Sequence, residues 1–446
     1  MAACIDRRSL LLGGLAGALP LRAAARPNIV LIVSDDQRFD TIGALGNPAI
    51  QTPALDRLVK QGVTFTNAYV SNPICTPSRA CLLTGHDDWD TGVRWFGERI
   101  RPELPVMSEV LNSLGYETFF TGKWHNDLTP EKRGFQKTRF VFPKGMGEHE
   151  MSFEEPGGTV TGHSSELFAT AAVDYLRSAP KEPFFAMVSF TAPHDPRTPP
   201  PAWLARYKPE SIPLPRNYMP EHPFDNGELQ IRDEKLLPWP RTEQAVRGEL
   251  ATYYGMISHM DEQIGRILGA LEQAGTLENT LVAFVSDNGL ALGSHGLLGK
   301  MSMYEHSVKV PLILRLPNHR FAGRRVDGLC YHHQLFSTFC AEARLKPPAG
   351  LERPSLIEMA ERRGAGLESV SCSYRDVQRM IRKGDWKLIW YPKAGRWQLF
   401  NIKNDPDELN DQSANARYAG LLKELAAQLA AYMKRRQDPL AGHLEV

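Results

Sequence analysis

The sequence predicts an α/β fold: a large mixed, mostly parallel sheet between helices, followed by a smaller C-terminal α+β subdomain. Three observations carry this expectation. Four apolar, β-branched-rich runs, Asn28–Ser34, Tyr116–Thr121, Phe184–Phe190 and Leu281–Ser286, have the unbroken hydrophobicity of strands buried on both faces. Segments with helical periodicity lie between them. Beyond about residue 346 the pattern changes to short alternating runs and one terminal amphipathic helix.

Taken in order, residues 1–25 read as a targeting segment. Arg7-Arg8 leads into an apolar Gly/Ala-rich run to Leu21, and Ala23-Ala24-Ala25 offers a small-residue cleavage pattern. This predicts export by the twin-arginine route, to a bacterial periplasm. The run is short for a membrane span, so no stable membrane insertion is expected. Residues 26–345 are expected to form the catalytic domain and 346–446 the C-terminal subdomain. Thr52-Pro53 opens a helix, with Thr as cap, that Gly62 closes. Further helices are expected over 105–114 and 245–274; the latter carries Leu250, Tyr254, Ile257, Ile264 and Leu271 at helical spacing. Residues 196–240 hold eleven prolines and no clear period, which marks a long functional loop and a wall of a substrate pocket. Short strands are expected at 379–382, 386–391 and 397–401, then a helix over 416–436.

The residues that follow each major strand are Asp35-Asp36, Gly122-Lys123-Trp124-His125, Pro193-His194-Asp195 and Asp287-Asn288-Gly289. Ligands of open α/β sheets bind outside the carboxyl ends of the strands. Four parallel neighbours would therefore bring these carboxylates, amines, imidazoles and amides to one place.

The 446 residues are 42% hydrophobic and 23% charged, with a formal net charge of +1. Residues 1–25 carry Arg7, Arg8 and Arg22 against Asp6, so a chain without them sits near −1. No basic field points to nucleic acid. An anionic ligand must be held by locally placed cations and a metal. Of six cysteines, Cys4 lies in the targeting segment, and the others match no zinc spacing or disulfide framework. A Cys330–Cys340 bridge and buried free thiols both remain open.

The sharpest motif is Cys75-Thr76-Pro77-Ser78-Arg79-Ala80-Cys81-Leu82-Leu83-Thr84-Gly85. Thr76 and Pro77 suit a helix start, which places Cys75 where free amides favour anions. Arg79 follows one turn later on the same face. A nucleophile beside a guanidinium suits sulfate or phosphate.

This segment resembles the signature of the type I, formylglycine-dependent sulfatases of the alkaline phosphatase superfamily, and every fixed position is met. The resemblance implies an alkaline-phosphatase-like fold and hydrolysis of sulfate monoesters, with a sulfated carbohydrate the leading substrate. It implies formylglycine made from Cys75 by a maturation enzyme. It also implies Ca²⁺ bound by Asp35, Asp36, Asp287, Asn288 and residue 75, an oxygen-rich set that suits a hard cation. Arg79, Lys123 and Lys300, the last in Gly296-Leu297-Leu298-Gly299-Lys300, would hold sulfate oxygens. His194 would assist departure of the alcohol, and His125 would act on the formylglycine hydroxyl so that the sulfated form releases sulfate by C–O cleavage. The Tyr254–Leu268 stretch and Gly384-Asp385-Trp386-Lys387-Leu388 read as scaffold, and His295 as structural. Lys132, Arg133, Lys137 and Arg139 read as a solvated face. Three other readings stay open: a phosphomonoester, phosphodiester or phosphonate hydrolase of the same superfamily, a non-catalytic binder of sulfated glycans, and transfer of sulfate to another acceptor.

Overall fold

A computed structural model describes residues 26–444 apart from 352 and 363; the targeting segment expected at 1–25 lies outside the described residues. The main sheet has eight strands: β1 (Asn28–Ser34), β2 (Val63–Phe65), β3 (Glu117–Lys123), β4 (Lys137–Phe142), β5 (Phe184–Ser189), β6 (Thr280–Ser286), β7 (Leu312–Arg315) and β8 (Arg324–Val326). Their order is β8-β2-β7-β6-β1-β5-β3-β4. The four strands read from sequence are contiguous, and β3, β5, β1 and β6 pair in parallel. β7 runs antiparallel to both neighbours. The sheet is thus mixed but mostly parallel, as expected.

Alternation along β1 explains its unbroken apolar run. Ile29, Leu31 and Val33 enter the core on one face, and Val30 and Ile32 enter the core on the other. Each such burial contributes about 1.5–3 kcal/mol. The second face is closed by α4 (Glu243–Gln273) and α3 (Ser164–Arg177), reached after α1 (Pro53–Gln61) and α2 (Cys75–Thr84). Asp261 of α4 accepts the backbone N–H groups of Ala54 and Leu55 at 2.9 and 2.7 Å, satisfying the start of α1. This explains the scaffold segment around it. Thr52 was expected as the cap of α1, but its hydroxyl instead accepts from Gly43 N and donates to Asp56.

The helix expected over 105–114 is the shorter Met107–Ser113. The Pro-rich stretch contains only short turns of helix, the last being Asp233–Leu236.

After residue 346 the antiparallel sheet has four strands, β9 (Ser369–Tyr374), β10 (Gln378–Lys383), β11 (Trp386–Tyr391) and β12 (Arg396–Asn401); β9 carries no strong sequence signal and was not anticipated. Helix α5 (Ala419–Arg435) covers one face through Leu425, Leu429 and Met433. The other face, with Val370, Met380, Ile389 and Phe400, joins the main core. Lys387 is fully buried between Glu305 at 3.1 Å and Glu408 at 2.7 Å, which fixes this sheet against the main body. Cys75, Cys81, Cys330, Cys340 and Cys372 are all free and buried, so the possible Cys330–Cys340 bridge is not formed.

Candidate active site

The carboxyl ends of β1, β3, β5 and β6 meet the start of α2. Asp35 and Asp36 leave β1 with Asp36 at φ +66°, a left-handed conformation costly for a side chain. Tertiary bonds hold it there. Asp36 N donates to Asp287 Oδ1 at 3.0 Å, and Tyr253 Oη donates to Asp36 O at 2.6 Å. Cys75 is the first residue of α2, and its thiol donates to Asp35 Oδ1 at 3.3 Å and Asp36 Oδ1 at 3.7 Å. Lys300 Nζ lies 2.9 Å from the sulfur and 2.7 Å from Asp36 Oδ1. Position 75 is an unmodified cysteine here, and its Sγ stands in for the oxygens of the modified residue. Burial, reinforced by Asp35, pushes this thiol well above its ordinary pKa, so it stays protonated at neutral pH.

The cations are as deeply placed. Arg79 donates through Nε to Asp287 Oδ2 at 2.9 Å and through Nη1 to Ser189 Oγ at 2.6 Å; its Nη2 has no hydrogen-bond partner. Lys123, the last residue of β3, pairs with Asp35. Burial opposes the charge on Lys300, but Asp36 outweighs it and holds the ammonium well above its usual pKa. Three cations thus face three carboxylates.

The two histidines sit differently. His125 contacts Thr76 Oγ1 at 3.1 Å through Nε2 and lies under Phe96, with ring centroids 5.6 Å apart. Burial, then Lys123 and Arg79, press its pKa down to about 2, so the ring is neutral at rest. His194 Nδ1 meets the carbonyl of Asp195 at 2.7 Å. A carbonyl only accepts, so Nδ1 carries the hydrogen and Nε2 faces Asp36 at 3.6 Å. Burial also leaves His194 neutral, near 4.

The cluster could hold a metal ion, and its carboxylates favour a hard one. Oxygens of Asp35 and Asp36, Cys75 Sγ and a His194 nitrogen lie within 4.8 Å of one another. Asn288 donates its amide to Asp36 at 2.6 Å, while its Oδ1 is buried without a partner. Burial and the neighbouring Asp35 raise Asp287 to about 6, a repulsion that a cation would relieve. Both Asp287 oxygens are taken up by Asp36 N and Arg79. All ten residues singled out from the sequence are buried or half-buried here. His194, not expected among metal ligands, joins the acidic cluster.

Supporting residues had no sequence signal of their own. Ser189, Tyr253 and His332 brace Arg79, Asp36 and Ser78, the last through a 2.9 Å contact from His332 Nε2 to Ser78 Oγ. They lie 110 to 254 residues from what they brace, so only the fold reveals them. Conversely, Lys137 and Arg139 are paired on the surface with Glu117 and Asp174. His295 stacks on Tyr304 at 3.9 Å.

The site opens into a cavity of about 560 Å³ whose walls include Trp95, Phe96, Ile231, Arg232, Met301 and Arg375. A residue-75 side chain at a helix start, flanked by buried cations and acids at the ends of parallel strands, defines the anionic-ester hydrolases of the alkaline-phosphatase-like fold. The Sulfatase family model matches residues 27–343, and the model for the N-sulphoglucosamine sulphohydrolase C-terminal region matches 293–435. The chain belongs to the sulfatase family and is a sulfuric ester hydrolase. It is 27% identical over 497 residues to an N-acetylglucosamine-6-O-sulfatase of Bacteroides thetaiotaomicron, covering 93% of this chain and 87% of that one. It is 30% identical over 354 residues to an ulvan-active sulfatase of Formosa agariphila, covering 75% and 65% respectively. A solved structure in complex with its substrate D-glucosamine-2-N,6-O-disulfate superposes with a TM-score of 0.79 at 26% identity, covering 93% of this chain and 99% of that one.

Proposed function

We propose that the protein hydrolyses sulfate monoesters of carbohydrates, with formylglycine at position 75 and a Ca²⁺ held by Asp35, Asp36, Asp287 and Asn288, after export to the periplasm. The observation that carries this is the state of Cys75. Its thiol sits among the acids and cations, yet burial keeps it protonated, so an unmodified cysteine is a poor nucleophile here. Formylglycine, as its hydrate, supplies a hydroxyl nucleophile and an exit for sulfate by C–O cleavage; Ca²⁺ supplies positive charge beside it. Arg79, Lys123 and Lys300 line the place of the sulfate oxygens, where fixed charges need no reorganisation. Lys300, held charged by Asp36, stands on the side of the departing alcohol and delivers its proton; His194 Nε2, a lone pair in the neutral ring, takes up a proton beside the bound anionic ester before it donates. His125 starts neutral, and its basicity rises once the anionic ester offsets the cations around it.

The pocket wall supports a sugar. Phe96 stacks on His125, Trp95 lies 4.7 Å from Phe96, and the Arg375 guanidinium lies 4.8 Å over Trp95. This strip leads away from Cys75, and Phe96 is 40% exposed. The exposed Phe96 ring beside Trp95, with a cation at the end of the strip, suits a sugar ring bearing polar or anionic substituents. The relatives active on sulfated sugars favour the same class. The matured protein should release sulfate from a panel of sulfated amino sugars. Phe96→Ala should raise KM on its sugar substrate roughly tenfold with a smaller change in kcat. Failure to desulfate any sugar while phosphate esters turn over would overturn the reading.

The histidines should separate by half-reaction. His194→Ala should slow phenyl sulfate far more than 4-nitrophenyl sulfate, whose alcohol needs little protonation. His125→Ala should give a burst of alcohol followed by slow sulfate release. General acid–base help is worth about 10²–10⁴-fold, so both effects are measurable in rapid-quench kinetics. No burst in His125→Ala and no leaving-group dependence in His194→Ala would remove these roles.

A further inference from the structure

We propose that Arg232 and Glu234 are positioning residues that strap together the two loops carrying His194 and Lys300; this rests on the leaving-group roles given to those residues above. The two loops come from different strands, β5 and β6, and both must be placed against one departing oxygen. The tripeptide Arg232-Asp233-Glu234, at the end of the Pro-rich stretch, touches both.

On one side, Glu234 accepts Leu298 N at 3.0 Å and Gly299 N at 2.9 Å, the two amides just before Lys300. Arg241, fully buried, donates to Glu234 Oε2 at 2.7 Å and also to Gly296 O, and Trp239 Nε1 donates to Gly296 O at 3.1 Å. The close fit leaves no room for side chains. A Cβ on Gly299 would lie 2.9 Å from Asp233 Cβ, and one on Gly296 would lie 2.2 Å from the Glu221 carbonyl carbon. This accounts for the glycines of the Gly296–Lys300 segment. On the other side, Arg232 pairs with Asp195 and reaches Asp233 at 3.0 Å. Asp195 is the residue whose carbonyl sets the tautomer of His194.

Glu234 is 4% exposed and its acceptors are committed to the loop, so it has no need of substrate to be held. Arg232 and the preceding Ile231 line the cavity. The wall that meets the sugar is therefore also the strap that sets the proton-delivering groups. A bidentate acceptor that fixes two successive amides leaves Lys300 little freedom, and a misplacement of about 1 Å at such a group costs on the order of 10²-fold in rate.

The test uses the matured, metal-loaded full chain and aryl sulfates of graded leaving-group pKa. Glu234→Ala and Arg232→Ala should lose roughly 10²-fold on phenyl sulfate and about tenfold or less on 4-nitrophenyl sulfate. Glu234→Gln and Arg232→Lys, which each keep part of the bonding, should recover part of that loss. Amide exchange should quicken over 296–300 in Glu234→Ala and over 191–195 in Arg232→Ala. An equal loss on both esters would make these residues merely structural and overturn the proposal, as would unchanged rates. If the wild type turned over neither ester and no sulfated sugar, the sulfate-ester reading would fall, and exchange would still decide the strap: unchanged exchange in both variants overturns it.

Discussion

Cys75→Ala is expected to abolish turnover, with a loss of about 10⁴-fold or more, because it deletes the group placed as nucleophile. The geometry around position 75 makes a further demand. Lys300 Nζ is 2.9 Å from the sulfur, and Asp35 and Asp36 accept from it, so the site grips whatever atom sits there. A buried thiol pushed far above its ordinary pKa cannot exploit that grip. Protein made without a maturation system should therefore be folded but nearly inactive. Co-expression with a formylglycine-generating enzyme should restore activity in proportion to the peptide about 18 Da lighter at residue 75. Mass spectrometry of the tryptic peptide alongside kcat measures both quantities. Full activity in a sample whose residue 75 is entirely cysteine would end the formylglycine reading.

Asp287→Asn is expected to lower kcat by about 10²–10³-fold, the scale of losing one preorganised electrostatic group. The substitution keeps the shape and an acceptor for Asp36 N while removing charge from the proposed cation site. Activity of the wild type should disappear on chelation and return with added Ca²⁺; the variant should need far more Ca²⁺ for the same recovery. Calcium titration followed by activity gives the comparison. Normal turnover after exhaustive chelation would remove the metal from the account. Asp287→Ala is the less suitable variant. From sequence it would leave the fold largely intact, but Asp287 is the 2.9 Å partner of a buried Arg79. Stripping one member of such a pair costs about 3–5 kcal/mol, so lost stability would mask lost chemistry.

The difference between those two aspartate variants illustrates what sequence can and cannot supply. The motif around Cys75 and the strand-end residues were legible because each is local: a buried strand writes a continuous apolar run, and its end is marked by the first polar residues after it. Those runs also located β1 at both ends and β3, β5 and β6 within two residues. β2, β7 and β8 escaped notice because strands of three or four residues have no measurable period. β9 does alternate serines with Val370, Cys372 and Tyr374, but six residues with three serines separate weakly from a loop without the paired strand beside them.

By itself, then, the sequence determined the chemical inventory and the fold class, since both are carried by short contiguous patterns. Only the tertiary structure decided how the inventory is wired. That Arg79 spends its Nε on Asp287, that Tyr253 holds Asp36 in a left-handed conformation, and that Glu234 holds the amides before Lys300 are contacts across 64 to 217 residues of chain. No local propensity encodes such pairs. They exist because parallel strands place their carboxyl ends side by side, and because buried charges and amides in that crowded space must find partners to offset their lost hydration.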